Sequence, residues 1–395
     1  MEVFKMKIKF KKIGISVMIV GFLLVGTQAG SALPQNPLTK PMATAGWLYV
    51  GGGGPGNYTT IQSAIDAALE GDTIYVYPGT YNENIIIDKP LLTLRGAGRD
   101  ITTIQGNNLN ATIELRRQNF MIQGFTIKND GSQTGIYTIT SASVHSFTDN
   151  IFTMTSRGIH LFYSSENTIT GNLFYDNTNS GAYLEIGNNN TISDNEFYNN
   201  TDNGIFLTGC GAVFIENNTF RNNGNGIHGY NDNGNIIRNN VIESNSYGIF
   251  LTGAFTVNSN WNTIDHNRIN NNTIYGIRIV HSQFNTIEHN EIIGNGIGIS
   301  FEYTGANIIR ENIITFSDVL EMKLTFSLGD LVIKNNIDNT QQRLVLLQMG
   351  LGFVIAPNNW WGSTQWPLRR MRPIGGWVWI FPWSMTPFNL SVGPQ

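Results

Sequence analysis

The chain has 395 residues and a formal net charge of -4, and only 13% of it is Asp, Glu, Lys or Arg, against roughly 25% in an average soluble domain. Its polarity comes instead from about 50 asparagines, while 41% hydrophobic and 11% aromatic content exclude a disordered chain. Scattered positive residues leave no electrostatic footprint for nucleic acid, and the single cysteine, Cys210, excludes an intramolecular disulfide and a cysteine-based zinc site.

Residues 1–32 read as a signal peptide. Lys5, Lys7, Lys9, Lys11 and Lys12 give a positive leading segment, Ile13 to Val25 an apolar core, and Ala29 and Ala32 small residues for cleavage near 29–32. The core is shorter than the roughly 20 residues of a spanning helix, so export is expected. A retained anchor is the alternative, and no later segment is apolar enough to span. Asn-x-Ser/Thr acceptors at Asn57, Asn110, Asn189, Asn199, Asn217, Asn271 and Asn389 fit an exported, glycosylated surface protein.

After a linker at 33–46, residues 47–106 form an N-terminal cap and the first coils. Within them Tyr58 to Leu69 sets Ile61, Ala64, Ile65, Ala68 and Leu69 on one face, which predicts a short capping helix.

Residues 107–358 repeat. Asn167-Thr-Ile-Thr-Gly-Asn172-Leu-Phe174, Asn190-Thr-Ile-Ser-Asp-Asn195-Glu-Phe197 and Asn285-Thr-Ile-Glu-His-Asn290-Glu-Ile292 align, and the second Asn recurs at 150, 172, 195, 218, 240, 267, 290, 312, 336 and 358. A Gly-Ile pair or close variant follows the first seven of them, at 158, 181, 204, 226, 248, 276 and 298. The apolar-polar alternation and the short Asn/Gly gaps give two or three very short strands per unit and leave no room for helices. One such coil cannot bury its inward side chains alone, and stacking coils does. The fold class is therefore all-β, a parallel β-helix of about ten or more coils, right-handed by the resemblance described below. An Asn ladder is expected at one turn. Residues 359–395 close the rod, with Trp360, Trp361, Trp366, Trp377, Trp379, Phe381 and Trp383 read as an aromatic lid. Between about 315 and 350 the repeat fades and the register is open.

The opening resembles the pectin-lyase-like right-handed β-helix superfamily through Tyr49-Val-Gly-Gly-Gly-Gly-Pro-Gly-Asn-Tyr58, Thr60-Ile-Gln-Ser-Ala-Ile-Asp-Ala-Ala68, Pro78-Gly-Thr-Tyr-Asn-Glu-Asn84 and Leu94-Arg-Gly-Ala-Gly98. The coils are similar to carbohydrate-binding and sugar-hydrolysing repeats that include NosD-type proteins, and Asn358-Asn-Trp-Trp-Gly-Ser363 resembles a closing motif of such repeats. The resemblance implies the fold. It leaves the activity open, because the superfamily holds lyases, hydrolases, esterases, epimerases and proteins without chemistry.

The enzyme signatures do not match. Asn200-Thr201-Asp202 resembles the start of a polygalacturonase-type site, but one coil on stand Asn222 and Asn223, and His228 lies in Gly-Ile-His-Gly. Glycoside hydrolysis needs two carboxyl groups within roughly 5–10 Å, and Asn supplies neither proton nor nucleophile. The esterase Asp pair with its arginine and the epimerase Asp-Pro-His-Asp run are not found, and outward acids do not cluster as a calcium-dependent lyase requires. Glu216, Arg238, Asp265, Glu288, Arg310 and Lys334 instead fall in one outward lane, read as cross-strand ion pairs.

Alternation after the Gly-Ile pairs defines a second lane: Tyr137, His160, Tyr183, Phe206, His228, Phe250, Arg278 and Ser300. The neighbouring outward lane adds Phe162, Glu185, Tyr230 and Glu302. Flat rings beside hydrogen-bonding groups suit the C–H faces of sugars, although the rings also have each other to stack on. Tyr137, His160, Tyr183, Phe206, His228, Phe250, Arg278, Glu185 and Tyr230 are the carbohydrate-binding candidates. Glu185 and Glu302 lie five coils apart and make no glycosidase pair.

His266 and His289 stand in adjacent coils behind Asp265 and Glu288, a donor set suited to zinc or copper. A solvated turn surface is the preferred reading, so no metal and no cofactor are expected, and Cys210 reads as inert packing. The sequence thus describes an exported, cell-surface β-helix protein that binds polysaccharide or a surface glycan along its aromatic lane without turnover. A polysaccharide-active lyase, hydrolase or epimerase with unidentified residues is the first alternative. A structural or adhesive surface rod is the second. Neither nucleic acid nor a membrane span after signal cleavage is expected.

Overall fold

A computed structural model describes residues 45–139, 142–254, 258–339, 344–363 and 370–394. The expected signal peptide, all but the last two residues of the expected linker and Trp366 lie outside them. The described chain is a right-handed parallel β-helix of about 14 turns. Its strands form three parallel sheets of 15, 12 and 13 strands, called here first, second and third in the order a coil visits them.

One coil shows the logic. It runs through Thr168–Thr170, Leu173–Tyr175 and Ser180–Glu185, and each strand pairs with its counterpart one coil on, Ile169 with Ile192, Phe174 with Phe197 and Leu184 with Leu207. The inward positions make one continuous core. In the second sheet Phe152, Phe174, Phe197 and Phe220 stack inside it with centroids 4.6–4.9 Å apart, a geometry that adds about 0.5–1.5 kcal/mol per aromatic pair.

Buried amides lock the corners at all three turns, not at one. Asn150, Asn172, Asn195, Asn218, Asn240, Asn267, Asn290 and Asn312 form the expected ladder between first and second sheets. Its last rungs are Asn335 and Asn359, so the expected Asn336 and Asn358 are corrected by one residue: Asn336 is a strand residue and Asn358 sits at a left-handed corner, φ 53°. A second ladder runs through Asn177, Asn200, Asn223, Asn245, Asn272 and Asn295. A third includes Asn167 and Asn190, then Asn235, Asn262, Asn285 and Asn307. Each side chain satisfies backbone groups that a tight corner would otherwise bury unpaired.

Glycine is the second residue of the long strands of the third sheet from Arg157–Phe162 to Ile297–Glu302, because two coils touch there. A Cβ on Gly204 would stand 2.6 Å from the Gly226 carbonyl oxygen and 2.7 Å from Phe220. Where the repeat fades, Glu321 takes that glycine's place, buried and held by the backbone N–H and hydroxyl of Ser317.

At the front, the predicted helix spans Ile61–Ala67 and buries Ile61, Ala64 and Ile65. Thr60 caps it, and the Glu83 carboxylate accepts from Ile61 N and Gln62 N at 2.8 and 2.9 Å, satisfying the free N–H groups of its first turn. The back corrects the aromatic lid. Trp361 is buried, but Trp377 and Trp379 form the last strand of the first sheet with outward, exposed rings, and Phe381 is exposed. Partly buried Val378 and Trp383 pack on the core beside buried Ile380. Among the described residues no helix is long and apolar enough to cross a membrane.

Candidate functional site

The outward lane of the third sheet has the register expected of it. Tyr137 pairs with His160, His160 with Tyr183, Tyr183 with Phe206, Phe206 with His228, His228 with Phe250, Phe250 with Arg278 and Arg278 with Ser300. The rings form a column with centroids 4.4–5.1 Å apart, and the Arg278 guanidinium continues it 5.4 Å over Phe250. This orientation changes the expected chemistry. The ring faces cover one another along the rod, so a ligand meets ring edges and not the open faces that would stack on a sugar.

Burial keeps the column uncharged. It lowers His160 and His228 to about 4 each, with Arg157 adding to the effect on His160. It raises the Tyr183 hydroxyl to about 12, with the Glu185 carboxylate adding to the shift. Glu185 holds His160 Nε2 at 3.1 Å, and Glu302 holds Arg278 at 3.1 Å. Tyr230 stands exposed in the Glu185 lane, paired with Thr208 and Thr252.

A groove of about 560 Å³ crosses the middle coils. Of the nine predicted residues it takes three, Tyr183, Phe206 and His228, as floor; Tyr137, His160, Phe250, Arg278, Glu185 and Tyr230 lie beyond its lining. Its wall is the corner before the third sheet, where Asn179, Thr201, Asp202, Asn225 and Ser246 present amide, hydroxyl and carboxyl groups. Arg157 lies 4.6 Å over the Tyr183 ring at one end.

Sequence reasoning missed this wall. Its signal was present: residues one and two before each glycine share the corner, but Asn-Gly there was read only as turn chemistry. The Asn200-Thr-Asp202 triplet also finds its reason, since Asn200 and Asn223 are ladder amides while Thr201 and Asp202 face the groove.

The profile of the family described as periplasmic copper-binding protein (NosD) matches residues 65–259 and again 252–359, about three quarters of the chain. The chain belongs to the NosD family. Among other relatives, the Arabidopsis thaliana protein named "Probable pectinesterase 67" is 32% identical over 122 residues, 28% of this chain and 36% of that one. The cell surface glycoprotein of Methanothermus fervidus is 39% identical over 82 residues, 20% of this chain and 13% of that one. The NosD-family chain thus spans less than half the length of these curated relatives. Among solved structures, the Azotobacter vinelandii mannuronan C-5 epimerase AlgE6 A-module aligns with TM-score 0.57 at 18% identity, covering 83% of this chain and 93% of the module. DFA-IIIase from Arthrobacter chlorophenolicus aligns with TM-score 0.56 at 14% identity, over 78% and 94%. At such identity these two show a common fold.

The copper in the NosD description poses a test of donor chemistry. Asp265, His266 and His289 bring one carboxylate and two imidazoles within 4.8 Å of one another, a set that fits a borderline divalent ion. They lie on the corner between first and second sheets, away from the groove lining. The ion-pair lane next to them runs Glu216, Arg238, Asp265, Glu288, Arg310 as expected, but its next member is Ile333. Lys334 is displaced by one residue to the left-handed corner and bonds Glu311. Cys210 is buried, its thiol pushed up to about 12 by that burial.

Proposed function

We propose that this NosD-family protein is exported and binds an extended polysaccharide or cell-surface glycan in the groove over the middle coils of the third sheet, without turnover. The observation that carries the reading is the groove itself: an uncharged floor of aromatic edges beside a wall of amides and hydroxyls. The lining runs from Arg157 to Ile274 across six coils, about 24 Å at the spacing of paired strands, which suits a chain of sugars and not a single one. Because the ring faces are occupied, the wall's hydrogen bonds fix the sugar hydroxyls and the ring edges exclude water beneath them. Asp202 is the single carboxyl among the lining residues, which favours recognition over a two-carboxylate hydrolysis. The family's periplasmic description and the cell-surface relative support export.

A polysaccharide panel, with reducing ends and unsaturated products read from the same samples, tests the reading. Saturable binding without product is the expected result. Product release would replace it with the enzymatic alternative, and no binding to any glycan would leave the structural rod.

A further inference from the structure

The ion-pair lane of the first sheet breaks its own pattern at one coil. Arg238 pairs back to Glu216 at 2.6 Å and Arg310 pairs with Glu288. Asp265 stands between Arg238 and Glu288 in register. Among the described residues its ion-pair partners are two imidazoles, His266 Nδ1 at 2.6 Å and His289 Nδ1 at 3.0 Å, both against the same oxygen. The rings stack with centroids 4.7 Å apart and 20° between their planes. On its other edge, His289 Nε2 lies 3.0 Å from Glu311, whose second oxygen is held by Lys334 at 3.4 Å.

We infer that Asp265, His266 and His289 form a binding site for a divalent transition ion of the Cu(II) or Zn(II) class, with Glu311 orienting His289 from outside. Two imidazole nitrogens and one carboxylate oxygen select such ions over Mg²⁺ or Ca²⁺, which prefer all-oxygen shells. The donor atoms all lie within 4.8 Å of one another, close to the span that two metal–ligand bonds of about 2.0–2.2 Å bridge, so a small ring rotation completes the set. The ion supplies the positive charge that the lane withholds from Asp265. Three protein ligands leave an open position toward solvent.

The backbone holds both imidazoles in place. His266 and His289 occupy left-handed corners, φ 52° and 53°, each directly before a buried ladder amide, and Asn267 N donates to Asn290 Oδ1 at 2.9 Å. Carboxylate support of a ligating histidine, as Glu311 gives His289, fixes the ring's orientation.

Calorimetric titration of the purified chain with Cu(II) and with Zn(II) tests the site, alongside the double variant His266→Asn/His289→Asn. Asparagine already stands at the equivalent left-handed corner in two preceding coils, Asn217 and Asn239, so this variant keeps the corner and a loss cannot be blamed on unfolding. One bound ion is expected for the natural chain, weakened more than about tenfold in the double variant. The bound Cu(II) should show electron-paramagnetic nitrogen splitting that the double variant abolishes and Asp265→Asn retains. No saturable uptake by the natural chain, or equal uptake by the double variant, overturns the site. Neither result bears on the groove, whose lining shares no residue with it.

Discussion

Asp232 is a carboxyl in a stack of small polar side chains, between Cys210 and Ser259 of the adjoining coils. It is fully buried, its Oδ1 accepts from Cys210 N at 2.6 Å, and burial pushes its carboxyl up to about 8. The folded chain therefore holds a proton there that the unfolded chain releases near 4. Its stabilising contribution is full below about pH 4 and is lost as pH rises through about 8. His145, His160 and His228 act in the opposite sense. Burial lowers each to about 4, so their contribution is full above the unfolded value of 6.5 and is lost as pH falls toward 4. Three imidazoles outweigh one carboxyl where the windows overlap, so the contribution of these groups should rise from pH 4 to about 6.5 and fall from there to about 8. Asp232→Asn keeps the acceptor for Cys210 and removes the ionisable proton, so in urea denaturation it should gain at least about 1 kcal/mol more at pH 9 than at pH 5. An equal gain at both pH values would show that ionisation is not the cause.

At the scale of the strand and its corner, the Asn ladders set the shape. Asn218 accepts from Asn195 N and Nδ2 at 2.9 and 3.0 Å, and its own amide donates to Ile192 O, Glu216 O and Asn240 Oδ1 at 2.9, 3.0 and 3.1 Å. Asn218→Ala leaves these buried groups unpaired and should destabilise the chain by about 2 kcal/mol or more. Asn217→Gly, at the exposed left-handed corner one residue earlier, should stay within about 0.5 kcal/mol. Chemical denaturation of the two variants separates them, and similar losses would refute the ladder's role.

These same residues show what a sequence can and cannot reveal. The strands and the first ladder were legible because their period is regular and most inward positions are apolar. The last rungs slipped by one because Asn335-Asn336 and Asn358-Asn359 are adjacent pairs, and only burial tells which amide turns inward. The other two ladders left a signal that went unread, since Asn167 and Asn177 flank Asn172 at five residues each way, as Asn190 and Asn200 flank Asn195. The aromatic lane was legible from alternation. Its edge-on presentation was not, because ring orientation depends on side-chain torsions that a pattern of residue types does not specify.

For the whole solenoid, the strands of each coil pair only with those of its neighbours, so stability is approximately a sum of coils and interfaces. Separate functions can then occupy different faces without competing for the core. The groove lies on the third sheet's middle coils, and the imidazole pair lies on the corner between first and second sheets. This separation supplies an internal control for the central claim. Tyr175 and Tyr198 stack on the second sheet at 5.0 Å with 3° between planes, matching the Tyr183–Phe206 stack of the groove at 5.0 Å and 10°.

The most direct measurement is the affinity of the best glycan from the panel for three proteins: the natural chain, Tyr183→Ala/Phe206→Ala and Tyr175→Ala/Tyr198→Ala. All four side chains point away from the core, so both variants should fold, which circular dichroism checks. The groove variant should lose about tenfold or more in affinity, roughly 1.4 kcal/mol or more, and the second-sheet variant should bind as the natural chain does. Equal losses in the two variants, or an unchanged affinity in the groove variant, would contradict the assignment of glycan recognition to this groove.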